Sequence, residues 1–121
     1  MAVKTLENNG ISIAVCDTAS HIGTISDVLD LLATATYGSE CAGLVLLKES
    51  LPEAFFDLKT GFAGDVLQKF SNYRMKLAIV GDFSQYTSQS LKDFIYECNK
   101  GRLVFFKHSL DEAMTALTAS P

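Results

Sequence analysis

Residues 57–82, DLKTGFAGDVLQKFSNYRMKLAIVGD, change periodicity within a few positions, and that change restricts the possible folds more than any other feature of the chain. Phe62, Ala63, Val66, Leu67 and Phe70 recur at helical spacing, while Asp65, Gln68, Lys69 and Asn72 fall on the other side. Such a pattern predicts a helix with one face in a core and the other in water. Leu77, Ala78, Ile79 and Val80 then form an unbroken apolar run of the kind a strand covered on both faces requires, and Gly81-Asp82 ends it. Thr60 is placed to cap the helix start with its hydroxyl, and Gly61 to allow a close backbone approach.

The rest of the chain repeats the alternation. Apolar segments 2–6 and 11–15 flank Asn8-Asn9-Gly10, and an Asn-Gly pair supplies the positive φ angles of a tight hairpin turn. A polar loop is expected over residues 16–23. Thr24 followed by Asp27 resembles a capping arrangement, and Ile25, Val28, Leu29, Leu32 and Ala35 trace one helical stripe as far as Gly38. Residues 44–47 read as an interior strand, and Ser50-Leu51-Pro52-Glu53 as a capping box for a single helical turn over residues 53–56. Leu91, Phe94, Ile95 and Cys98 share a helical face closed by Gly101, residues 103–106 make the last strand, and Ser109 with Glu112 opens a final helix buried through Ala113, Met114 and Leu117.

The resulting order, ββαβαβαβα, predicts an α/β fold in one domain over residues 1–121. Strands alternating with helices call for a mostly parallel five-stranded sheet, with one antiparallel strand contributed by the N-terminal hairpin. At 121 residues the chain is long enough for one domain that buries roughly two-thirds of its unfolded surface and too short for two.

This order resembles the STAS domain, the SpoIIAA-like fold of anti-sigma-factor antagonists. The local pattern that carries the resemblance is a turn entering a helix through a hydroxyl residue and glycine, here Thr60-Gly61; where those antagonists carry Asp-Ser-Ser-Gly, this chain has Leu58-Lys59-Thr60-Gly61. Over its full length the chain is also similar to an uncharacterised bacterial family catalogued as a domain of unknown function, DUF4180. The segments FFDLKTGFAGDVLQKFSNYRMKLAIVGDFS (55–84) and SLKDFIYECNKG (90–101) carry that second likeness, which implies no known activity.

Charge and cysteine usage narrow the partners. The net charge is −4 with no run of Lys or Arg, whereas nucleic acids and anionic membranes demand a basic footprint, so neither is the expected partner. Cys16, Cys41 and Cys98 are odd in number and lack CxxC spacing, which excludes a disulfide framework or zinc site and suggests a reducing compartment. The segment MAVKTLENNG lacks a basic-then-apolar signal pattern, and no apolar run approaches the roughly 20 residues needed to cross a bilayer. A cytoplasmic protein is expected.

In open α/β sheets ligands collect beyond the carboxyl ends of the parallel strands, where helix N-termini and unpaired backbone N–H groups face outward. Connectivity brings Asp17 and His21, Lys48 and Glu49, Asp82 with Ser84 and Tyr86, and Lys107 with His108 to that edge, and Lys59, Thr60 and Gly61 open a helix there. The GxxxxGK[ST] frame of a nucleotide-binding loop is missing. Metal ligation by His21 and His108 would need Asp17 to converge with them, and the spacing offers no support. Cys98 reads as a packed thiol and Cys16 as a structural one beside Asp17; no cofactor is implied.

Two readings of function remain open. One is a regulatory or protein-interaction module with an unidentified protein partner or a second copy of the chain. The other is a binder or hydrolase of anionic or phosphate-bearing small molecules, with Asp82 as a base and Lys59 and Thr60 holding the anion.

Overall fold

The computed structural model describes residues 3–17, 21–38 and 40–119; Ala2, the middle of the 16–23 loop and the last two residues lie outside the described residues. Asn9 (φ 55°) and Gly10 (φ 77°) make the expected tight turn between β1 (Val3–Asn8) and β2 (Ile11–Cys16), which pair antiparallel with Val3 opposite Cys16 and Asn8 opposite Ile11. Strands β3 (Gly43–Leu47), β4 (Lys76–Val80) and β5 (Val104–Lys107) then add in parallel, each beside its predecessor, so the sheet order is β1-β2-β3-β4-β5. The fold is mixed α/β, with one antiparallel pair and three parallel ones.

Because the crossovers from β2 to β5 all step the same way, crossovers of one hand must lay their helices on one face of the sheet. Helices α1 (Ile25–Ala33), α3 (Phe62–Asn72) and α4 (Gln89–Lys100) do so, packing Val28, Leu32, Val66, Phe70 and Leu91 against Ala14, Leu44, Leu46, Leu77, Ile79 and Phe106. The alternating residues Ile13, Val45, Ala78 and Phe105 point to the opposite face, which among the described residues receives α5 (Leu110–Thr118) through Ala113 and Leu117. A hydrogen bond of 2.9 Å from Asn8 Nδ2 to Thr118 Oγ1 ties the end of α5 to the hairpin.

Local chemistry accounts for most helix ends. Thr24 Oγ1 accepts from Asp27 N–H while Asp27 Oδ2 accepts from the N–H groups of Gly23 and Thr24, a reciprocal box that holds the Asp27 carboxyl below its usual range. The stripe beyond α1 continues as a π-helical turn, Thr34–Gly38. Ser109 Oγ accepts from Glu112 N–H, but the Glu112 carboxylate takes the N–H of His108 instead of closing the box on Ser109.

Two local expectations are corrected. The Ser50-Glu53 box does not form: Ser50 closes a short 3-10 turn, Lys48–Ser50, and its carbonyl accepts from Ile22 N–H at 2.7 Å, which holds the residue inside the protein. Helix α2 (Glu53–Phe56) therefore starts from Pro52 with no side-chain cap. At α3 the N-cap position belongs to Gly61 in the left-handed region (φ 77°), so glycine serves the backbone angle there; nothing lies within 4 Å of where its Cβ would stand.

Candidate functional site

The connection from β3 to α3 is unusually structured. Its turn Lys48–Ser50, helix α2 and a second 3-10 turn, Leu58–Thr60, form a wall beyond the carboxyl ends of β3 and β4. The loop after β4 forms the facing wall. A Cβ on Gly81 would stand 2.6 Å from Lys48 Cβ, so glycine is what lets the two walls approach. Tyr86 stacks on Phe56 at 5.1 Å between centroids with planes 15° apart, and Lys48 Nζ stands 5.1 Å from the Tyr86 ring. Beneath this pair, Phe83 meets Phe106 edge-on at 5.3 Å, which anchors the loop to β5.

The walls enclose three adjoining clefts that share Phe56. One of about 400 Å3 is lined by Glu53, Ala54, Phe56, Asp57, Gln85 and Tyr86. A smaller one of about 180 Å3 continues past Lys48, Glu49 and Leu51, and one of about 500 Å3 opens on the other side between Asp57, Lys59, Ser88 and Ser90. Glu49, Glu53 and Asp57 outnumber Lys48 around the first two, so the surface is acidic and aromatic.

Proton chemistry at the site is constrained. Ser84 donates its N–H to Asp82 Oδ1 at 2.9 Å, and its hydroxyl, its N–H and then the fields of His108 and Lys48 hold the Asp82 carboxyl below the usual range. A carboxylate so stabilised is a poor proton acceptor near neutrality. Burial, and secondarily Glu53, push the Tyr86 phenol up. Burial pushes the Cys16 thiol up to about 12 and the Cys98 thiol up to about 11, so neither is a ready thiolate.

Among the residues named from sequence, Asp82, Ser84 and Tyr86 share the loop after β4, and Lys59 lines the neighbouring cleft. Thr60 does not cap α3 from the N-cap position. Its hydroxyl points back to the carbonyl oxygens of Ala54 (2.6 Å) and Asp57 (2.9 Å) and accepts from Phe62 N–H at 3.2 Å, so it pins the turn to α2. Neither Thr60 nor Gly61 lines the three clefts. Asp17 and His21 do not line them either; both are exposed, and the chain after His21 is tied to Ser50 through Ile22. Among the described residues no three of His, Cys, Asp and Glu gather as a metal-holding group, and no helix is long and apolar enough to cross a membrane.

Sequence reasoning missed Glu53, Phe56 and Gln85. Phe56 was read only as the end of a one-turn helix, and the fold brings it against Tyr86. A family model described as Domain of unknown function (DUF4180) matches residues 8–117 of the chain. No curated protein and no solved structure matches it.

Proposed function

The chain belongs to the DUF4180 family, and from that premise we propose that it is a regulatory protein-interaction module that docks a protein partner on the acidic, aromatic cleft at the carboxyl ends of β3 and β4. The observation that carries this reading is the Phe56–Tyr86 stack set between two walls. It backs the half-buried Tyr86 ring with the buried Phe56 ring inside a rim of carboxylates, and aromatic anchors within a polar rim are what interaction hot spots consist of. The resemblance of the element order to STAS-type antagonists supports a regulatory role, and the lowered Asp82 carboxyl and raised thiols favour binding over catalysis.

A small-anion site or hydrolase at this same edge has less support. Thr60 spends its hydroxyl on backbone carbonyls, Asp57 lines the same cleft as Lys59, and Glu53 lines the adjoining one. Affinity capture from the source cell tests the proposal, comparing the parent with Tyr86→Ser and Glu53→Lys at matched melting temperature. The expected result is one partner held by the parent and lost from both variants. Retention by both variants, or no partner above background, would overturn the reading.

A further inference from the structure

Strand β5 pairs with β4 on one side and, among the described residues, forms the edge of the sheet on the other. In a parallel ladder the N–H and C=O of one residue point the same way, and successive residues point to opposite sides. The carbonyls of Leu103 and Lys107 accept from the N–H groups of Leu77 and Gly81, so Leu103, Phe105 and Lys107 are turned to β4. Val104, Phe106 and, by continuation, His108 therefore present their backbone groups to the outer edge. Such an edge is a template on which another strand can pair. Its own residues add to the hazard, because Leu103-Val104-Phe105-Phe106 is an unbroken apolar run, rich in strand formers and without proline.

We propose that Asn99 and Glu112 seal this edge against strand addition by a second copy of the chain. Each places a side-chain acceptor on one outward donor. Asn99, in the last turn of α4, accepts the Phe106 N–H on Oδ1 at 2.8 Å, and Glu112, in the first turn of α5, accepts the His108 N–H on Oε1 at 3.2 Å. The two acceptors come from helices on opposite faces of the sheet and reach the same edge from both sides. A strand approaching β5 has to displace both before its own carbonyls can reach those donors, so pairing replaces hydrogen bonds already made instead of satisfying open ones.

Helix chemistry alone accounts for neither side chain. Asparagine is among the weaker helix formers, and α4 already ends at Gly101, whose N–H returns to the Cys98 carbonyl. Glu112 stands where a capping box would send its carboxylate to the Ser109 N–H, yet it takes the His108 N–H instead. Both departures put an acceptor on the edge. Arg102 and Lys107 flank the apolar run, and like charges there oppose the pairing of two identical strands, although salt screens them as it cannot screen a hydrogen bond. Asn99 and Glu112 are not among the residues lining the clefts around the Phe56–Tyr86 stack, so either proposal can fail without the other.

The test is sedimentation velocity over about a hundredfold range of concentration, joined to amide hydrogen exchange at Phe106. It compares the parent with Asn99→Ala, Asn99→Asp and the double variant Asn99→Ala/Glu112→Ala. Asn99→Asp keeps an acceptor and should sediment as the parent does. Asn99→Ala and the double variant should associate as concentration rises, the double variant approaching about twice the parent's mass, as a closed antiparallel β5–β5 pairing requires. Exchange at Phe106 should slow in step with that association. Thr60→Val, which loses a hydrogen bond in the turn before α3, serves as the destabilised control and should keep the parent's mass. A folded double variant with the parent's mass at the highest concentration overturns the proposal, and if it does not fold, Asn99→Ala decides by the same criterion. Equal association of Thr60→Val or Asn99→Asp also overturns it, as does an associating variant whose Phe106 exchange is independent of concentration.

Discussion

Phe70 and Asp27 illustrate how differently single side chains contribute. Phe70 has no exposed surface and sits between α3 and the sheet, so Phe70→Ala should cost about 3–5 kcal/mol, a large share of what a domain this size has to lose. Chemical denaturation checks it, and a change under about 1 kcal/mol would mean that the site collapses around the cavity. Asp27 is surface chemistry. Its folded carboxyl is depressed by the Gly23 and Thr24 N–H groups, so the stability it contributes is present above the unfolded carboxylate value of about 3.9 and is lost as pH falls through the lower folded value. The stability gap between the parent and Asp27→Asn should hold steady above about pH 5 and close in acid; a gap that widens in acid would contradict the capping role. Both residues were legible in the sequence, one through helical spacing and one through a Thr-x-x-Asp pattern. Thr60 was read only in part, because a hydroxyl before a helix is a cap by default, and its bonds to the Ala54 and Asp57 carbonyls depend on how α2 turns back.

At the level of elements, that turn carries its own expectation. Since Thr60 both donates and accepts, Thr60→Ser should be near neutral and Thr60→Val should lose about 0.5–1.5 kcal/mol. Thr60→Asp should lose more than Thr60→Ser, because an ionised carboxylate only accepts and would face two carbonyl oxygens. Thermal melts of the three variants give the order, and an unchanged Thr60→Asp would return the residue to a plain cap. The strands and long helices were legible because each has a period of its own. The Ser50-Glu53 box was not, since Ser50 ends the 3-10 turn Lys48–Ser50 and its carbonyl serves Ile22, a contact set by a distant loop. Nor does the α5 pattern of Ala113, Met114 and Leu117 say which face of the sheet it covers. That follows from the crossovers, which fill the other face with α1, α3 and α4.

For the molecule as a whole, the fold gathers charges that lie apart in the sequence. Glu49, Glu53 and Asp57 gather around the Phe56–Tyr86 stack at the carboxyl ends of the strands, while Lys76, Lys100, Arg102 and Lys107 gather along the outer edge of the sheet beside β5. A net charge of −4 hides this arrangement, because a sum over the chain carries no direction. The clefts at the edge where sequence reasoning placed an anion are rimmed by Glu49, Glu53 and Asp57, and the loops it singled out hold Tyr86 against Phe56. Site-specific photocrosslinking in the source cell tests the central claim most directly, with the reactive group placed in turn at Gln85, on the cleft wall, and at Lys92, an exposed position on α4. The account predicts that Gln85 captures one protein and that Lys92 does not. Capture of nothing from Gln85, or of the same set of proteins from both positions, would contradict it.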